Sequence, residues 1–235
     1  MFLSNSSSLI ILLSINVLLS AAGSPLSQSI FKALKISSLD LNIYLLDISK
    51  NAAGFHLNNK ENNFVSPLVS KNDYKKFFIN FIEKYNINVY FPIIENDYLF
   101  IEKNKKELTS LKIAGIKSNI YELCNDKFKC FDKLSNFNIK IPLSFNVNKN
   151  SEFPDSGHLI LKPRKAASSK DIFIVKDKNR FNDLKQSYPD NYFLAQEYMN
   201  DPKEYTIGVY ISRDKRLKKT FIIERELKFG LSYKG

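Results

Sequence analysis

Three stretches of this 235-residue sequence set chemistry-bearing side chains beside small residues. The first is Ala21-Ala22-Gly23-Ser24-Pro25, between an apolar run and a helical pattern. A strand, a glycine turn and a helix can hold a phosphate on backbone N–H groups at the helix N-terminus. Here one glycine stands where a dinucleotide fingerprint needs three, and Pro25 removes a donor. A tight structural turn is the plainer reading, and an oxidoreductase built on it is disfavoured. The second stretch is Leu159-Ile160-Leu161-Lys162-Pro163, followed by Arg164, Lys165, Ala166, Ala167, Ser168, Ser169 and Lys170. Small residues let a backbone approach a phosphate, and cations balance its charge. A basic hairpin tip has equal claim. The third stretch is Gln196-Glu197-Tyr198-Met199 with Glu204 beyond Asp201-Pro202. Such a connection could offer backbone groups to a base and a carboxylate to a ribose, although a hairpin with two surface acids is simpler.

The elements that must position these residues follow from hydrophobic period. Strands are expected at Asn16–Ser20, Asn42–Asp47 and Ile87–Pro92, with helices from Leu26 and over Asp73–Tyr85. Residues 48–70 read as a long loop, and a short helix runs from the Glu95-Asn96-Asp97 turn to about Leu111. This strand–helix alternation implies a parallel sheet wrapped by helices. After residue 120 the pattern changes. Asn125-Asp126-Lys127 opens a helix with Asp126 near its N-terminus, and Phe128, Phe131 and Leu134 line its core face. Strands then dominate: His158–Lys162, Ile172–Val175, Phe193–Tyr198, Tyr205–Ser212 and Thr220–Arg225, with one helix at about Arg180–Ser187.

Composition narrows the function classes. Hydrophobic residues at 44% and charged residues at 25% are ordinary globular values. The net charge of +11 is spread along the chain without a dense basic block, so a solvated lysine surface is favoured over nucleic-acid binding. Cys124 and Cys130 have neither metal-ligand nor redox spacing and read as reduced thiols of a cytoplasmic protein. The apolar run at 9–19, with Ala21-Ala22-Gly23 after it, could be taken for a signal peptide. No Lys or Arg precedes Lys32, and the run is too short to span a bilayer, so a buried first strand is preferred and no membrane partner is expected.

The order of the pieces carries more than any one of them. Asn-Asp-Lys at a helix start, Ile141-Pro142 after it, Lys162-Pro163-Arg164 after a strand, Gln196-Glu197-Tyr198, then Lys203-Glu204-Tyr205 together resemble the ATP-grasp superfamily. The branch most similar holds the carbamoyl-phosphate synthase large subunits. The likeness extends to the first half, through the opening strand and Gly turn, Asp47 ending the second strand, and Phe91-Pro92 leading to the acidic turn at Glu95-Asn96-Asp97.

The resemblance implies an α/β fold: an extension at 1–14, a Rossmann-like pre-ATP-grasp domain at 15–120, and a partial ATP-grasp α+β domain at 121–235. It implies an ATP-dependent ligase joining a small carboxylate to an amine or similar nucleophile through an acyl-phosphate, or the nucleotide-binding part of one. A non-catalytic nucleotide-binding relative is the alternative, and a homodimer is compatible with either. By the same resemblance Lys127 and Lys162 contact the nucleotide, and Lys165, Ser168 and Ser169 lie in the loop over the phosphates. Gln196, Glu197, Tyr198 and Met199 form the adenine hinge, Glu204 binds ribose, and Arg225 stands near the phosphate or acyl-phosphate. Two departures are expected to matter. Ala167 and Asp171 replace loop glycines, and the late carboxylates that hold Mg2+ in the family are expected beyond Gly235, since Glu224 and Glu226 do not match them.

Overall fold

The computed structural model describes residues 14–155, 157–165, 170–200, 203–212, 214–228 and 231–234. Ser168, Ser169, Ala167 and nearly all of the expected extension lie outside them. The chain divides at Ser118/Asn119 into two compact units.

In the first unit β1 (Ile15–Leu19), α1 (Pro25–Lys35), β2 (Leu41–Asp47), β3 (Asn63–Val65), α2 (Tyr74–Lys84), β4 (Val89–Phe91), α3 (Glu95–Asn104) and β5 (Lys112–Ile113) follow one another. The five strands form a parallel sheet in the order β3-β2-β1-β4-β5. The central β1 is buried on both faces over Val17, Leu18 and Leu19, which is why it ends in three consecutive apolar residues. Adjacent strand residues face opposite ways. Leu18 therefore joins Tyr74, Phe78, Tyr90 and Phe100 on one face, while Leu19 joins Phe31, Ile43 and Leu45 on the other. Leu18 and Leu19 are both 0% exposed.

The segment at 48–70, expected as loop, contains two 3-10 turns and β3, which pairs with the sheet edge at β2. The helix expected to reach Leu111 ends at Asn104, and β5 follows it. Two or three residues give no period, so only pairing with a neighbour defines such strands. The Gly23 turn is structural in form. Gly23 N–H donates to Asp47 Oδ2 at 2.8 Å and Ser49 N–H to Asp47 Oδ1 at 2.8 Å. The carboxylate that ends β2 thus occupies the donor a phosphate would need.

The second unit runs α4 (Ser118–Asn125), α5 (Lys127–Ser135), β6 (Ser144–Asn146), β7 (Leu159–Pro163), β8 (Phe173–Val175), α6 (Lys178–Ser187), β9 (Phe193–Glu197), β10 (Glu204–Ile211), β11 (Leu217–Lys228) and β12 (Leu231–Lys234). These form two antiparallel sheets, β6-β9-β7-β8 and β10-β11-β12. Leu159, Leu161, Phe193 and Ala195 pack with Phe181 and Leu184 of α6, filling one face of the four-stranded sheet. The strands β6 and β12 and the helix α4 were not foreseen. The expected core face of α5, Phe128, Phe131 and Leu134, is only half-buried. Among the described residues no helix is long and apolar enough to cross a membrane.

Candidate functional site

The site is built on the face of the four-stranded sheet opposite α6. Alternation along β7 sends Leu159 and Leu161 into the core and leaves Ile160 and Lys162 on the other side. The register sets Ile160 opposite Gln196 and Lys162 opposite Leu194, with Ser144 opposite Gln196 on the far strand. Lys162 Nζ donates to Gln196 Oε1 at 2.8 Å, and Gln196 Nε2 donates to Ser144 Oγ at 2.9 Å. A polar row therefore crosses β7, β9 and β6.

Lys127 enters from the start of α5. Its N–H donates to Arg164 O at 2.9 Å, and its Nζ donates to Pro163 O at 3.1 Å. Burial is the main cause that lowers the Lys162 pKa. Lys127 acts in the same direction, and Glu204 opposes both. The Lys127 pKa is also lowered, first by burial, with Asp126 opposing. Glu204 faces Arg225 across β10 and β11, with a carboxylate–guanidinium separation of 3.6 Å. Two partly desolvated ammonium groups thus lie within electrostatic reach of one another beside a carboxylate. An anion such as a polyphosphate would relieve their mutual repulsion.

A second arrangement, missed in the sequence, holds this one in place. Asp126 is 1% exposed and caps α5, accepting from Phe128 N–H at 3.1 Å and Lys129 N–H at 3.3 Å. Arg164 grips the same carboxylate at both oxygens, Nε–Oδ1 3.1 Å and Nη2–Oδ2 2.6 Å, and also donates to Asn146 Oδ1 at 3.2 Å. Burial alone would raise the Asp126 pKa. The Arg164 and backbone hydrogen bonds outweigh it and hold the carboxyl below its usual range. Arg164, read in the sequence as a cation of the phosphate loop, is committed to this clamp. Asp126 and Arg164 are 38 positions apart, so no local pattern announces the pair.

The hinge residues are distributed differently from expectation. Glu197 N–H donates to Leu143 O at 2.9 Å and Tyr198 N–H to His158 O at 3.0 Å, so both donors belong to the sheet. The Glu197 carboxylate accepts from Leu143 N–H at 3.1 Å. Met199, the last residue of the expected hinge, is 49% exposed and takes part in none of these bonds. Beside it a cavity of about 400 Å³ is lined by Leu143, His158, Leu159, Glu197, Tyr198 and Asn200, among others. Lys165 is exposed and lines a separate depression with Asp126, Lys129 and Arg164. Asp171, which replaces a loop glycine, adopts a left-handed backbone with φ 53° and accepts from Tyr192 OH at 2.8 Å. The conformation that favours glycine is therefore present without the glycine.

Among the described residues no group of three or more His, Cys, Asp or Glu stands close enough to hold a metal ion. These residues do not fit a Mg2+ site, and no step through a metal follows from them.

Comparison with known proteins bears on the fold. The N5-carboxyaminoimidazole synthetase of Staphylococcus aureus, solved with ADP, superposes with a TM-score of 0.71 at 13% identity, over 94% of this chain and 57% of that one. Carboxyaminoimidazole ribonucleotide synthase of Aspergillus clavatus, solved with ATP, gives 0.69 at 14% identity, over 93% and 56%. The L-amino acid ligase of Bacillus licheniformis gives 0.61 at 13% identity, over 94% and 53%. The chain thus spans little more than half the length of these structures. No curated protein sequence matches it. The ATP-grasp domain family model matches residues 124–229, which lie within the second unit.

Proposed function

We propose that the second unit binds an adenine nucleotide between its two sheets, as part of an ATP-dependent ligase that activates a small carboxylate for attack by an amine or similar nucleophile. The observation that carries this reading is Lys162. It is a partly desolvated cation on a rigid strand, tied to Gln196 and beside Lys127 and Glu204. The match of residues 124–229 to the ATP-grasp domain and the fold shared with ligases solved with ADP and ATP support it.

In this reading Lys127 and Lys162 hold the phosphates and stabilise the charge that develops as the terminal phosphoryl group leaves. The carboxylate oxygen of the substrate takes that group to form an acyl-phosphate, and the nucleophile then displaces phosphate. No protein nucleophile is involved, so the chain contributes position and electrostatics. Met199 offers its backbone to the adenine edge. Glu204 accepts from ribose hydroxyls, and Arg225 orients Glu204 and adds positive charge near the phosphates. Lys165 lies in the loop that would close over the phosphates.

A calorimetric titration with ATP, ADP and NAD tests the nucleotide class. ATP and ADP are expected to bind more tightly than NAD. Equal or tighter binding of NAD would sink the reading.

A further inference from the structure

The polar row across β6, β9 and β7 has a direction, and it is set at the β6 end. Ser144 Oγ donates to Pro142 O at 2.8 Å. A carbonyl oxygen only accepts, and a serine hydroxyl has one proton, so that proton is spent. What Ser144 offers the rest of the row is a lone pair, and Gln196 Nε2 donates to it at 2.9 Å. The Gln196 amide is thereby turned with its oxygen toward β7, where Lys162 Nζ donates to Oε1 at 2.8 Å.

The strand register makes this reach possible. Ser144 and Ile160 pair directly with Gln196, and Lys162, paired with Leu194, is its diagonal neighbour. Diagonal neighbours on one face of a sheet lie within reach of long side chains. Gln196 is 5% exposed, so its amide depends on partners in the protein rather than on bulk water. Lys162 can only donate. With the amide reversed, its NH2 group would meet the ammonium donor to donor, and Ser144 would have to leave Pro142 to serve the oxygen. Without the Ser144 hydroxyl the NH2 group loses the acceptor that holds it, and the amide can turn and withdraw Oε1 from Lys162.

We propose that Ser144 is a positioning residue of the nucleotide site: its hydroxyl fixes the orientation of the Gln196 amide, and the amide holds the Lys162 ammonium in place for a phosphate. Ser144 acts through Gln196 and Lys162, so its role rests on the nucleotide reading of Lys162 above. It lies 52 positions from Gln196 and belongs to a three-residue strand, so no local pattern marks it in the sequence.

The test compares the full chain with its Ser144→Thr, Ser144→Val and Lys162→Met variants. Thr and Val have nearly the same shape and differ in the hydroxyl, so a packing effect moves both and an orienting effect moves only Val. Calorimetric titration should show ATP affinity about three- to tenfold weaker in Ser144→Val, the loss expected for one hydrogen bond, and restored in Ser144→Thr. The second readout is NMR of isotope-labelled lysine in the unliganded protein, with the Lys162 signal identified by its loss in Lys162→Met. The Lys162 pKa should be lower in Ser144→Val than in the parent and restored in Ser144→Thr. The bond to Oε1 favours the ammonium, so its loss adds to the effect of burial, while the charged neighbours Lys127 and Glu204 are the same in every variant. Ser144→Ala, which removes the hydroxyl without adding bulk, should match Ser144→Val and takes its place if that variant fails to fold. ATP affinity and Lys162 pKa unchanged in Ser144→Val, or changed equally in Ser144→Thr, would overturn the proposal even where Lys162→Met weakens ATP binding. Unchanged ATP affinity in Lys162→Met would instead defeat the nucleotide reading, and the role of Ser144 with it.

Discussion

Replacing Lys162 by Met is expected to reduce ATP affinity at least about tenfold while leaving the melting temperature nearly unchanged. The affinity loss follows from charge-assisted hydrogen bonds, each worth roughly 1.5–3 kcal/mol, which is a factor of ten or more in Kd. Met keeps the stem that packs on the sheet and removes the ammonium. In the unliganded protein that ammonium has one described partner, Gln196 Oε1, at 2.8 Å. Burial and Lys127 both disfavour its charge. Losing the bond and losing the desolvated charge therefore oppose each other, and the net change in stability should be about 1 kcal/mol or less. Calorimetric titration and a thermal melt of the same two proteins check both halves. Unchanged ATP affinity would remove Lys162 from the site and leave it a structural lysine.

The largest expected effect on stability belongs to Arg164. Its change to Met leaves Asp126 buried without its cation, and breaking one partner of such a pair costs about 3–5 kcal/mol. For a unit of this size that is roughly 10–20 °C in Tm. Asp126→Asn should cost less, since Asn also caps helices. The double variant should be more stable than Arg164→Met alone, because no buried charge is left unpaired. The pH dependence has a definite sign. The folded Asp126 pKa is depressed, so its contribution is complete above the unfolded value of about 3.9 and is lost as pH falls through the folded value. The gap between parent and Arg164→Met should accordingly narrow below about pH 4. Differential scanning calorimetry from pH 3 to 7 measures this. A constant gap would mean that Asp126 is not the partner responsible.

Much of this architecture was legible in the sequence wherever a period could develop. The alternation Leu-Ile-Leu-Lys identifies β7 and also says which face Lys162 must take. The last residues of the apolar run, Ile15–Leu19, form the central parallel strand, and the periodic phenylalanines of α2 fill one face of that sheet. What was not legible depends on partners distant in sequence. The strands β3, β5 and β6 have two or three residues each and exist because a sheet edge lies beside them. The Asp126–Arg164 clamp joins a helix cap to a strand end, and each residue alone had a plausible local role. The Tyr198 N–H, expected to face a base, is claimed by His158 O, a pairing that only the strand register reveals.

The central claim is that an adenine nucleotide sits against the hinge of the second unit, and photolabelling with 8-azido-ATP tests it most directly. Light converts the azide at the base edge to a nitrene, which inserts into whatever lies next to the adenine. The expected label, mapped by mass spectrometry and suppressed by excess ATP, lies within residues 193–204, centred on Met199. A protectable label in the segment from Ile15 to Ile36, around the Gly23 turn, would contradict the account.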